Sequence, residues 1–433
     1  MAVSLFAEFV KLAQNKADLR HSIIRRSGGV TIAFLIGHAF NYALFGGANR
    51  LLDTGRFGVF YTAVMAINVV MAPMMALTIL QARHFAELGA IYGRREVAAS
   101  TWRVLGFGVR VFPLVAITAA ILAAAAHWLG VEAWESVLLI PLAVWALALA
   151  ELERAALQGM LLFRVASALW IASTATQFVL GLGALLLFTK VWAGLAGITI
   201  GAGLVTFTFT HWIDPRGRGL PSRSRSGFVQ LKNEIRMIIS YSLFILLNNG
   251  DILCGYVLLS KIQLDVYAAS ALLPKAIVTA TFAVVQVLVP VAAERRVSGL
   301  SIRTSVLKAV LFASGIGAAG AALLCLVIPI VQRSPLAIRG LDFELSVVLA
   351  LSAVALSALR VLVVVEGVLR RYVMGGIQAA ALLIFILLCF SIHATALRIA
   401  EMYLLVSGVL LVVAAGLVAL PTAHLSLRLF LRR

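Results

Sequence analysis

Two residues of opposite charge each stand alone in a long apolar stretch: Asp251 in residues 237–259 and Lys275 in residues 267–290. The connection between these stretches is centred near residue 263, and each charge lies 12 residues from it. If the stretches are the two helices of a membrane hairpin, the side chains share one depth and can pair. An ionised group at the bilayer centre costs about 2.5 to 3.5 kcal/mol, so two readings stay open. In one, the pair neutralises the hairpin so that it inserts. In the other, both line a hydrated cavity, where Lys275 binds an anionic group and Asp251 binds a proton, a cation or a sugar hydroxyl. Asn248 and Asn249 precede Asp251 on the same helix and join Lys275 as candidate substrate ligands.

Arg360 lies about 15 residues from the outer end of residues 345–367, or roughly 22 Å of helix rise. It has no acidic residue within one turn, and Glu366 is six positions away on another face. A guanidinium so placed faces a hydrated cavity, pairs between helices or snorkels. In residues 29–51, His38, Asn41, Phe45 and Asn49 follow helical spacing and make one polar or aromatic stripe, which faces the protein interior. Asn41 and Asn68 are equidistant from the tip of the first hairpin; interhelical hydrogen bonding accounts for them as well as a substrate role does. His38 is a candidate coupling residue or a packed one, and Arg50, at the outer end of its stretch, is a candidate ligand or a snorkelling cation.

The elements that must position these residues are set by composition. Of the 433 residues 62% are hydrophobic and 12% charged, against about 45 to 50% and 25% in soluble chains. The apolar residues fall into twelve blocks of about 20, the length needed to cross about 30 Å of hydrocarbon. The blocks are residues 29–51, 57–80, 104–126, 136–156, 165–188, 192–213, 237–259, 267–290, 306–331, 345–367, 372–393 and 402–424. The fold class is therefore all-α integral membrane, and the remaining tails and loops are too short for a folded catalytic domain. Prolines 73, 113, 141, 274 and 329 fall inside spans and suggest kinks.

Lys and Arg number 36 against 18 Asp and Glu, a net charge of +18. In a soluble chain such an excess points to nucleic acid. Here 26 of the 36 basic residues fall on one set of alternate connections and tails, the bias that marks cytoplasmic segments, so no nucleic-acid partner is implied. Both termini are expected in the cytoplasm. Residues 214–236, which begin Asp214-Pro215-Arg216-Gly217-Arg218, form a basic linker between an N-terminal lobe, 1–213, and a C-terminal lobe, 237–433. Shifted by 207 residues, Asn41 falls on Asn248, Asn68 on Lys275, Leu52 on Leu259, Val59 on Val266 and Phe60 on Tyr267. With six spans per half, such a repeat is parallel. Residues 4–13 carry Leu5, Phe6, Phe9 and Val10 against Glu8 and Lys11, the pattern of an interfacial helix.

Two signals drop out. Cys254, Cys325 and Cys389 lie in apolar spans and form neither a disulfide framework nor a zinc set. The run from Gly315 to Gly320 fits G-x-G-x-x-G but lies within a span with no preceding strand, so it reads as helix packing by small residues. Nothing in the sequence asks for a cofactor or a metal.

On these residues the chain resembles the Wzx-like oligosaccharide flippases, the polysaccharide-transport branch of the MOP exporter superfamily. Leu52-Asp53-Thr54-Gly55-Arg56-Phe57-Gly58-Val59-Phe60 is similar to the family's first short loop, ending in Phe-Gly-hydrophobic-Tyr. Asn249-Gly250-Asp251 followed by Tyr267-Ala268-Ala269 resembles the start of its second half, and Leu157-Gln158-Gly159 its segment after the fourth span. Asp265 departs from the pattern, standing where the family often has Gly, and Arg360 has no firm counterpart in the family. The resemblance implies two six-helix lobes that carry a polyprenyl-diphosphate-linked oligosaccharide across the inner membrane by alternating access, with membrane lipids and a lipid-linked glycan as partners. A polysaccharide polymerase or another assembly protein is a further partner it suggests.

A cation-coupled multidrug exporter of the same superfamily is the alternative; its cationic cargo favours an acidic cavity. A membrane sugar polymerase or ligase needs acids on sizeable outer loops, and these connections are short, the first and third carrying only Asp53, Glu132 and Glu135 as acids. The expected orientation is checked with single cysteines in a cysteine-free background. Ser224→Cys is labelled by an impermeant maleimide only after cells are opened, and Thr54→Cys is labelled from outside; the reverse pattern inverts the topology.

Overall fold

The computed structural model describes residues 32–92, 94–129, 134–160, 162–210, 231–281, 303–333, 338–369, 374–391 and 395–419. They form twelve helices and no strand. Helix α1 covers residues 32–51. It is followed by α2 Phe57–Tyr92, α3 Arg94–Trp128, α4 Trp134–Gly159, α5 Phe163–Phe188 and α6 Val191–Phe209. Then come α7 Leu231–Leu258, α8 Lys261–Ala280, α9 Arg303–Arg333, α10 Phe343–Leu369, α11 Met374–Ser391 and α12 Ala396–Ala419. Ten of these are long and apolar enough to cross a membrane. Outside that set are α1, with its polar stripe, and α8, which carries Gln263, Asp265 and Lys275. The chain is an all-α integral membrane protein, and the described part of each of the twelve apolar blocks falls on one helix.

Several helices outrun their blocks. Polar residues near the ends of α2 and α3, among them Arg83, Arg94 and Glu96, lie inside those helices, because water competes little with i to i−4 bonding once apolar packing has nucleated the helix. For the same reason α7 starts at Leu231, so residues 231–236 of the expected linker are its first turns. Residues 214–230 of that linker and the interfacial segment 4–13 lie outside the described residues.

The chain divides into two compact units at Ile238–Ile239. In unit 1, α4 packs against α2, α3 and α6, and α5 against α6. Its core includes Phe85, Val97, Ala98, Leu149, Leu152 and Leu157. The α5–α6 contact is backbone on backbone: a Cβ on Gly197 would lie 2.5 Å from the Gly181 Cα and 2.5 Å from the Leu180 carbonyl. In unit 2, α10 packs against α8, α9 and α12. Gly317 sits against Val354 and Gly320 against Ile277, so the glycine-rich run of α9 serves close packing as its span context requires.

Local signals set the hairpin of α7 and α8. Ser260 and Gln263 form a reciprocal capping box at the start of α8. Gly340, with φ of +75°, turns the chain into α10, and the backbone N–H of Asp342 donates to Ser270 Oγ at 2.9 Å, tying that turn to α8.

The 207-residue shift carries through this packing. Leu52 and Leu259, Phe57 and Leu264, and Phe60 and Tyr267 are buried pair by pair, as are Ala146 and Ala353, Leu149 and Leu356, and Leu157 and Val364. The α5–α6 seam yields a stability test. Gly197→Val lowers the thermal midpoint in detergent by the equivalent of about 1 to 3 kcal/mol, whereas Gly183→Ala, which meets open space, leaves it unchanged.

Candidate functional site

Asp251 and Lys275 meet as their spacing requires. Lys275 Nζ donates to Asp251 Oδ1 at 2.9 Å and to the Asn248 carbonyl at 2.5 Å. Tyr267 Oη donates to Asp251 Oδ2 at 3.1 Å, so both carboxylate oxygens are engaged. Asp251 is fully buried and the Lys275 side chain nearly so, at 12% exposure. The ammonium lies 5.8 Å from the Tyr403 ring centroid, within cation–π range.

The pair sits at the edge of a small recess formed by α7, α8, α10 and α12, with Asn248, Pro274, Ala353, Leu356 and Tyr403 in its wall. The recess has room for about one water molecule. Its chemistry is a cation held against a carboxylate in a mostly apolar wall, with an asparagine and a tyrosine hydroxyl at hand.

Arg360 stands one turn beyond Leu356 on α10. Its Nη1 donates to the carbonyl of Val278, itself a lining residue, at 3.1 Å, and its guanidinium carbon lies 5.8 Å from the Phe244 ring centroid. It flanks the recess without lining it. Asn248 lines the recess, but Asn249 turns away and donates to the Ile245 carbonyl of its own helix at 2.9 Å. That bond uses one N–H of the amide, and the second N–H and the carbonyl oxygen are not used by it.

The remaining candidates lie in unit 1. His38 belongs to an aromatic group, 4.3 Å from Phe34 and 5.6 Å from Trp170 between ring centroids. Asn41 is half-buried and Arg50 is exposed at the end of α1. Asn68 donates to Met65 Sδ at 3.9 Å.

Unit 1 also holds a polar group that the spacing argument passed over. Arg154 is paired with Glu151 and lies over the Trp170 ring at 4.8 Å. Beside them Glu153 is fully buried, and neither of its carboxyl oxygens has a hydrogen-bond partner among the described residues. The signal was available, since the shift that maps Asn68 on Lys275 maps Glu153 on Arg360. The two units thus carry ionisable groups of opposite sign at one repeat position. The same register maps Leu44 on Asp251, and Leu44 is buried apolar packing against Gly181.

No protein-family model and no curated protein matches the chain. Solved structures do. A MATE protein in a straight conformation matches with a TM-score of 0.64 at 14% identity, covering 90% of this chain and 93% of its own. A eukaryotic MATE transporter matches at 0.61 and 16% identity over 92% and 95%. A MOP superfamily transporter from Pyrococcus furiosus, described as having a binding pocket of reversed polarity, matches at 0.60 and 13% identity over 90% and 93%. At these identities the likeness establishes the fold: the chain has the architecture of MATE transporters of the MOP superfamily.

The repeat generates a stability test for the pair. Lys275→Met alone leaves Asp251 uncompensated and lowers stability by about 3 to 5 kcal/mol. The double variant Asp251→Leu/Lys275→Asn, which installs the residues of unit 1, recovers most of that loss, as read by thermal unfolding in detergent.

Proposed function

We propose that this chain, which shares the MATE fold, is a transporter that moves a polyprenyl-diphosphate-linked oligosaccharide between membrane leaflets, in the service of surface polysaccharide synthesis. The observation that carries the proposal is the excess of cation around the unit 2 recess, where Lys275 and Arg360 flank one carboxylate, Asp251. A diphosphate cannot cross hydrocarbon unaided. Lys275 in the recess wall and Arg360 one turn beyond it replace its water, and the apolar wall accepts part of the lipid.

The cavity opens to one side and then the other through movement between conformations, and the bound cargo shifts that balance only by its unequal affinity for them. The first short loop, Leu52–Phe60, and the Asn249-Gly250-Asp251 segment support the Wzx-like branch by resemblance. The resemblance supports residence in a bacterial inner membrane, and the distribution of basic residues supports both termini in the cytoplasm.

A second reading, export of cationic drugs, is favoured by the solved structures of multidrug resistance MATE transporters that share the fold. It is also favoured by unit 1, where Glu151 and Glu153 outnumber Arg154.

One reconstitution separates the two. Vesicles containing the purified chain move a fluorescent polyprenyl-diphospho-oligosaccharide to the leaflet where a soluble glycosidase can cut it, and they do not extrude a cationic dye. Dye transport without glycan movement overturns the proposal in favour of the second reading. Arg360→Ala, at equal protein level, reduces glycan movement about tenfold or more, the loss expected when one charged hydrogen bond to the diphosphate is removed.

A further inference from the structure

We propose that Asp251 and Lys275 form a proton-released anion latch: a proton on Asp251 and an anionic headgroup on Lys275 bind together, so that cargo and proton share the same state of the carrier. The inference rests on the reading of the cargo as an anion.

In the state described, Lys275 is not available. Two of its three N–H donors are committed to Asp251 and to the Asn248 carbonyl, and the ammonium lies against the Tyr403 ring. The recess beside it admits about one water molecule. A diphosphate diester entering here with Asp251 ionised would set three negative charges against the two cations Lys275 and Arg360 in a site shielded from water, where like charges repel strongly. With a proton on Asp251 the two cations face the two charges of the diphosphate alone. Charge balance therefore requires the proton and the anion to arrive together.

The site is built to accept that proton. Tyr267 donates to Asp251 Oδ2, and a phenol hydroxyl can also accept. When the carboxyl carries the proton, the bond between them can reverse without loss. The titratable groups around Asp251 are few. Helix α8 brings Lys275 and Tyr267, α11 brings Cys389, α12 brings Tyr403, and α7 itself carries Cys254. From α10 only Leu349, Ala353 and Leu356 reach the recess, with Arg360 one turn further on. Asp251 is the one carboxylate lining it among the described residues.

The fold does not ask for the pair. Unit 1 builds the same helical hairpin with Leu44 and Asn68 at the equivalent positions. A buried ion pair adds little stability over apolar packing, so its presence in one unit alone marks a task beyond packing.

The test measures binding by calorimetry on the full-length protein in detergent, in buffers of different ionisation enthalpy. The probe is farnesyl diphosphoglucose, a diester whose own charge is constant near neutral pH, and the uncharged control is farnesyl glucoside. The wild-type protein takes up about one proton per probe bound, and its affinity falls about tenfold per pH unit on the alkaline side, as one linked proton dictates. Asp251→Asn binds the probe at least tenfold more tightly near pH 8, with no proton uptake and no pH dependence. Lys275→Gln binds it no better than the control.

Proton release on binding, wild-type binding without proton exchange, or an unchanged proton count in Asp251→Asn each overturns the latch. If Asp251→Asn does not fold, the wild-type proton count and the Lys275→Gln affinity decide. Linked binding of probe and proton without glycan movement in vesicles would leave the latch standing and remove the export reading. Glycan movement with no linked proton would do the reverse.

Discussion

The charges of Asp251 and Lys275 must be balanced where water cannot do it, and that constraint organises unit 2. Asp251 is balanced by two groups of α8, the Lys275 ammonium and the Tyr267 hydroxyl, and the Asn248 carbonyl accepts a further N–H of that ammonium. The capping box at Ser260 starts α8 so that Tyr267 and Lys275, two turns apart, both face α7. The bond from Asp342 to Ser270 holds the next helix of the recess against α8. Remove the pair and these local devices still fold a hairpin, as the first hairpin of unit 1 demonstrates with an aliphatic and an amide side chain.

The internal repeat separates what the architecture needs from what this chain has added. Buried positions such as Phe60 and Tyr267, or Leu149 and Leu356, agree between the units because they are packing. Charged positions do not agree. Glu153 stands where unit 2 has Arg360, and Leu44 stands where it has Asp251. The disagreements fall on the residues that bear on chemistry, as expected when two copies keep one core and differ in their sites.

Much of this was legible in the sequence. Twelve apolar blocks became twelve helices because a continuous 20-residue apolar segment in hydrocarbon bonds its backbone within itself, and equal distance from a loop placed Asp251 against Lys275. What the sequence left open was direction. Asn249, two positions from Asp251, points back at its own helix, and Arg360 binds a backbone carbonyl of α8 that no motif announces. Glu153 was hidden for a different reason: in a linear reading it is one of three charges near the end of a span beside Arg154, a pattern that reads as a helix end approaching water, and only the packing of α2, α3 and α6 around α4 encloses it.

The opposite signs at Glu153 and Arg360 have a genetic consequence. A homodimer of identical six-helix subunits would have to carry the same residue at this position in both copies, so one mutation would change two sites at once. A fused chain is free of that restraint. Each half can acquire or lose a charge by itself, and a carboxylate in one can coexist with a guanidinium in the other. Covalent linkage of the two units is thus what permits a symmetric scaffold to have two chemically different halves.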